Sequence, residues 1–181
     1  MKTWNSPIIW VFLMSLFLSS CIKDTDFTQT EDIEVAPVIE LDFLFFDLTS
    51  QNFTDLGVAN LTVSDTTNFE FLNSDFTSDN LERVEFFFKF SNSIPVDFIT
   101  EFKFLNQDNV SQYEFSIPVD AGNGTTETIT QYIENIDNQG IIDLTNAEKV
   151  VITFTASSSL ENVAGTLNLQ SKTTYYLKII Q

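Results

Sequence analysis

Residues 83–90 read Arg-Val-Glu-Phe-Phe-Phe-Lys-Phe, and the reading of this stretch decides the fold class. Val84, Phe86, Phe88 and Phe90 fall on one side of an extended chain, and Glu85, Phe87 and Lys89 on the other. That period of two is the mark of a half-buried β-strand. The pattern recurs in both directions. Leu41, Phe43 and Phe45 alternate with Glu40, Asp42 and Leu44; Phe102 and Phe104 with Glu101, Lys103 and Leu105; Tyr175, Leu177 and Ile179 with Tyr176, Lys178 and Ile180. Turn-forming residues separate the runs at Asn92-Ser93-Ile94-Pro95, Asn106-Gln107-Asp108-Asn109, Ala121-Gly122-Asn123-Gly124 and Asp137-Asn138-Gln139-Gly140. Strands are expected near 38–47, 58–64, 68–73, 83–91, 97–105, 112–119, 126–134, 149–157, 165–170 and 173–180. Short aromatic and β-branched strands with closely spaced turns predict an all-β protein, an antiparallel β-sandwich.

Three places are less regular. Ile129, Tyr132, Ile133 and Ile136 have helical spacing, but the Thr and Ile content of the window favours strand. A short helical turn is expected around Asp143 to Ala147. Phe87 makes its strand too apolar for one wet face, so it is either covered by a loop or an exposed contact residue.

Composition removes whole classes of chemistry. The 181 residues include 26 Asp and Glu, 8 Lys and Arg, no His and one Cys, for a formal charge of −18. Without imidazole there is no Ser-His-Asp or Cys-His nucleophile and no His-ligated zinc. A single Cys closes no internal disulfide. The acidity argues against nucleic acid as a partner, since phosphate binding needs clustered Lys and Arg. Seventeen of the 19 Phe lie beyond residue 20 and are expected to form the core.

The amino terminus reads as a targeting segment. Lys2 precedes an apolar run from Ile8 to Leu18, the length of a signal core and short of the ~20 residues of a membrane span. Leu18-Ser19-Ser20-Cys21 follows and holds the only Cys. These residues resemble the bacterial lipoprotein signal of the signal peptidase II type. The resemblance implies cleavage before Cys21 and acyl chains, palmitate among them, on its sulfur and new amino group. Two or three chains make attachment effectively permanent, where one binds only marginally. The expected organisation is a signal peptide over 1–20, the lipidated Cys and a disordered acidic tether over 21–37, and a sandwich domain over 38–181. The tether carries Asp24, Asp26, Glu31, Asp32 and Glu34 with little apolar surface to order it. Cys21-Ile22-Lys23-Asp24-Thr25-Asp26 is similar to the export tract of Bacteroidota outer-membrane lipoproteins, which implies an outer-membrane address with the cell surface favoured over the periplasmic face. The order of strands and turns over about 83–157 resembles the immunoglobulin-like modules of such lipoproteins, without the core Trp or the Cys pair of antibody domains.

Candidate sites are few. Asp120-Ala121-Gly122-Asn123-Gly124 suggests a structural calcium loop through Asp120 and Asn123 but departs from the EF-hand spacing; Asp75, Asp79 and Asn80 form a second acidic turn. Tyr113, Tyr132, Tyr175 and Tyr176 are candidate platforms for a glycan, with half-buried core as the alternative. Asp65-Thr66-Thr67 resembles the Bacteroidota O-glycosylation acceptor, with Thr66 as the site. No phosphate loop or redox motif is present, and no cofactor is expected. The expected function is a lipid-anchored, non-catalytic binding, adhesion or structural module of the envelope, with an unknown protein or glycan ligand. The alternatives are an accessory subunit of a surface uptake or secretion complex and a hydrolase using paired carboxylates.

Overall fold

Alternating apolar residues build eight long strands and three short helices among the residues described, 34–54, 61–68 and 75–180, in a computed structural model. In chain order these are β1 (Val38–Thr49), α1 (Ser50–Thr54), β2 (Thr62–Asn68), α2 (Asp75–Asn80), β3 (Leu81–Asn92), β4 (Phe98–Leu105), β5 (Ser111–Val119), β6 (Thr128–Asp137), α3 (Asn138–Thr145), β7 (Lys149–Ala156) and β8 (Thr166–Leu177). They belong to one unit, Val35–Ile179; Glu34 and Ile180 fall in a second. The signal peptide, Cys21 and the tether up to residue 33 lie outside the described residues.

One sheet has the order β1-β8-β3-β6 and the other β2-β7-β4-β5, with every neighbour antiparallel. The first strand therefore pairs with the last, the second with the second last, and so on to the β4–β5 hairpin. A long hairpin rolled into two packed sheets has this connectivity, and it is a jelly roll. The expected antiparallel all-β sandwich stands. Its immunoglobulin-like refinement does not, because an immunoglobulin sheet joins the first, second, fifth and fourth strands.

Phenylalanine fills the space between the sheets. Phe86, Phe88 and Phe90 on β3 face Phe98, Phe102 and Phe104 on β4, all essentially inaccessible. The Phe88 and Phe102 rings lie 4.6 Å apart, Phe43 and Phe86 4.9 Å, and Phe102 and Phe115 4.9 Å. Such tilted and offset pairs add to the ~1.5–3 kcal/mol from burying each ring. Phe53 of α1 meets Phe98 at 5.4 Å and closes one end of the core.

The window 128–137 is strand, as its composition indicated, and Tyr132 and Ile136 point inward opposite Phe88 and Val84. Three expectations are corrected. The two strands read at 165–170 and 173–180 are the single strand β8. The break read at 65–67 lies within β2, which pairs with β7 from Thr62 to Asn68; most of the strand expected at 68–73 falls outside the described residues. The helical turn begins earlier than Asp143, at Asn138, because Ile141 and Leu144 share a face that packs into the core.

Each sheet edge carries a feature that discourages a further strand from adding to it. β1 has a register break between Asp42 and Phe45. β5 contains Pro118, which has no N–H to offer. β2 and β6 turn a carboxylate toward the sandwich interior, Asp65 opposite Ile152 and Glu134 opposite Phe86.

Candidate functional site

The register break in β1 shapes the most distinctive surface. Ahead of it Ile39 and Phe43 point inward; beyond it Leu44 and Leu48 are buried and Phe46 half-buried, while Phe45 stands 63 % exposed. A bulge accounts for the inversion, since one extra residue moves every later side chain to the other face. Ser171, buried on β8, holds it: its hydroxyl accepts from the Leu44 N–H at 2.9 Å and donates to the Leu44 C=O at 3.1 Å. The shared face of Leu41, Phe43 and Phe45 expected from strict alternation is therefore corrected for Phe45, while Leu41, ahead of the bulge, keeps the inward register of Ile39 and Phe43. Leu41 is 40 % exposed, and Phe45 is on the outer face.

There Phe45 joins Phe87, Asp42, Lys89, Gln170, Ser171 and Lys172 around a shallow depression of about 200 Å³. Cross-strand register supplies the layout. Asp42, Lys172 and Phe87 form one row across β1, β8 and β3, and Phe45, Gln170 and Lys89 the next. The Lys172 ammonium lies 6.0 Å from the centre of the Phe87 ring and 2.7 Å from a Glu40 carboxylate oxygen. That hydrogen bond raises the pKa of Lys172, keeping it charged. Asp42, Lys89 and Gln170 make no side-chain hydrogen bond to any described residue. Phe87, which the sequence left as covered or contact, is half-buried on this face.

A second constellation closes the seam between the sheets. Tyr113 on β5 and Tyr132 on β6 both donate to Glu134, each at 2.6 Å and to different carboxylate oxygens. Burial, followed by the Glu134 hydrogen bond, drives the Tyr113 phenol well above its ordinary pKa. The Glu134 hydrogen bond is the main reason that Tyr132 is pushed up to about 12. A charged carboxylate beside a phenol opposes phenolate formation, so the arrangement is a clasp of neutral donors on one acceptor.

The remaining candidates are dispersed. Tyr175 is buried, and burial raises its pKa to about 12; Tyr176 lies half-buried with the Arg83 guanidinium 3.7 Å above its ring. Asn123 Oδ1 is engaged in its own turn, accepting from the N–H groups of Thr125 and Thr126, while Asp120 is exposed and its carbonyl accepts from Asn92. Asp75, Asp79 and Asn80 fall on α2 rather than in a turn, and the Asn80 amide donates back to the Phe76 carbonyl. Among the described residues no group of three or more His, Cys, Asp or Glu is placed to hold a metal ion. Thr66 is exposed on the outer face of β2. The sequence missed Phe45 and Glu134. The run Phe43-Leu44-Phe45-Phe46, which breaks the period of two, was the available signal for the bulge.

No protein-family model and no curated protein sequence matches the chain. Among solved structures it is similar to a protein of Parabacteroides distasonis described as secreted, at 12 % identity over 63 % of this chain and 38 % of that one, with a TM-score of 0.46. It is also similar to the VP2 subviral particle of infectious bursal disease virus (11 % identity, 78 % and 37 % covered, TM-score 0.42) and to tailspike protein 4 of bacteriophage CBA120 (12 %, 75 % and 19 %, 0.40). The chain thus spans at most 38 % of the length of each of these three. The jelly-roll assignment rests on the strand register.

Proposed function

We propose that the chain is a lipid-anchored, non-catalytic binding module of the bacterial outer membrane, attached through Cys21 and working through the outer face of the β1-β8-β3-β6 sheet. The address rests on the Leu18-Ser19-Ser20-Cys21 signal that closes an apolar run. The observation that carries the binding reading is the bulge at Asp42–Phe45, which turns a large aromatic ring outward onto the face that holds a second one across β8 and is fastened by a buried serine. Bulges re-aim side chains at working surfaces, and an outward Phe otherwise forfeits its burial energy.

Whole cells and membrane fractions test the anchor. Processed protein should partition with the outer membrane and yield an acylated Cys21 peptide by mass spectrometry, and Cys21→Ala should be released or left unprocessed. Processed Cys21→Ala that stays tightly in the membrane fraction would contradict the anchor. Protease treatment of intact cells should digest the body, in keeping with the cell-surface face; full protection would place it on the periplasmic one.

A further inference from the structure

We infer that the depression between Phe45 and Phe87 binds a neutral saccharide. The inference deepens the binding reading above and rests on it. Two aromatic rings of adjoining rows offer apolar surface at the floor and rim of an open depression of about 200 Å³, the scale of a single sugar ring. A pyranose has an apolar C–H face that lies against such rings and a periphery of hydroxyl groups, each both donor and acceptor. The side chains around the rings match that periphery: Lys89 donates, Asp42 accepts, and the Gln170 amide does both, and none of the three makes a hydrogen bond to a described residue.

Local charge discriminates against other ligands. Glu40 and Asp42 balance Lys89 and Lys172, so this patch of a chain with formal charge −18 is close to neutral. A phosphate or uronate would face the Asp42 carboxylate, and a cation would face two ammonium groups. An apolar side chain of a protein partner would leave Asp42, Lys89 and Gln170 stripped of water without partners, which is costly. A neutral, hydroxyl-rich ring satisfies all of them. Among the described residues the opposite sheet has no equivalent; its outer rows Thr62-Thr155-Ile99-Pro118, Ser64-Thr153-Glu101-Ser116 and Thr66-Val151-Lys103-Glu114 hold no aromatic ring.

Calorimetric titration of the purified, processed protein with hexasaccharides of β-1,4-glucose, α-1,4-glucose, β-1,4-xylose and α-mannose tests this, with polygalacturonate and an acidic peptide alongside. At least one neutral glycan should bind, with little dependence on salt. Phe45→Ala and Lys89→Ala should each weaken it roughly tenfold or more at an unchanged melting temperature, since both side chains are at the surface. Thr153→Ala, on the other sheet, should leave it unchanged. Failure of every neutral glycan, binding only of the acidic polymers, or undiminished glycan binding by Phe45→Ala would overturn the inference. A photo-crosslinker at position 45 that captures an envelope protein in cells, together with failure of all the glycans, would remove the saccharide and keep the binding face.

Discussion

The two outer faces of this sandwich are made by the same rule and end up chemically unlike. On the β2-β7-β4-β5 sheet, outward residues of the β2–β7 pair are mostly Thr and Ser, and cross-strand hydroxyl pairs such as Ser64–Thr153 at 2.9 Å and Thr62–Thr155 at 3.4 Å satisfy one another. Alternation holds from Thr62 to Asn68 of β2 and from Phe98 to Phe104 of β4, with one register shift at Leu105, and the face is what a solvated sheet needs. On the β1-β8-β3-β6 sheet the register shifts at the start of β3, between Leu81 and Arg83, and again at the β1 bulge, and it is the bulge that adds Phe45 to Phe87 beside polar groups left free. A departure from the local rule, held by a dedicated hydrogen-bonding partner, is more informative about function than the regular pattern around it.

Substitutions can break or sharpen this contrast. The largest effect is expected beneath both faces. Phe88→Ala removes a fully buried ring from the shared core and should cost ~3–5 kcal/mol in chemical denaturation, whereas its exposed-side neighbour Phe87→Ala should cost under about 1 kcal/mol. Comparable losses from the two would contradict the orientation of β3. Next is Ser171→Ala, which strips the buried Leu44 N–H and C=O of their partner and should destabilise by ~1–3 kcal/mol. It should move backbone amide resonances of 42–46 and leave those of β2 and β7 in place, so a shift spread evenly over both sheets would refute the role of Ser171 as the fastener of the bulge.

The tyrosines of the seam and the core give a smaller, pH-dependent effect. Tyr132 and Tyr175 rise from 10.0 to about 12 on folding, so each holds its proton more tightly when folded. Stability from these phenols is complete below about pH 10, the unfolded value, and falls as the pH rises towards about 12. Phenolate absorbance should therefore appear late and together with unfolding. In Glu134→Gln the Tyr132 phenol should ionise closer to pH 10, with a loss of about 1 kcal/mol at neutral pH. An unchanged alkaline titration in that variant would dissolve the clasp. Smallest of all, Thr153→Ala on the plain face should stay within about 0.5 kcal/mol of the parent.

Much of the fold was legible because aromatic alternation survives in strands buried on one side; Val84 to Phe90 and Phe98 to Phe104 point as their pattern indicates. Connectivity was not, since which strand lies beside which depends on pairings separated by more than a hundred residues, as between Leu44 and Ser171. Ser171 also shows why β8 looked interrupted. A polar residue at an inward position reads as a break until its partner, the bulged backbone across the sheet, is known. The candidate site was hidden for the same reason, because Phe45 changes face only through that distant hydroxyl. Of the tyrosines that suggested a platform, Tyr113, Tyr132 and Tyr175 are instead drawn into the seam or the core by Glu134 and by burial, and Tyr176 is covered by the Arg83 guanidinium.

The most direct test places a benzophenone amino acid at position 45 or at position 153 in living cells and irradiates them. Working chemistry confined to the bulged face predicts a crosslinked product from position 45 and none from position 153; equal yields, or a product from 153 alone, would contradict it.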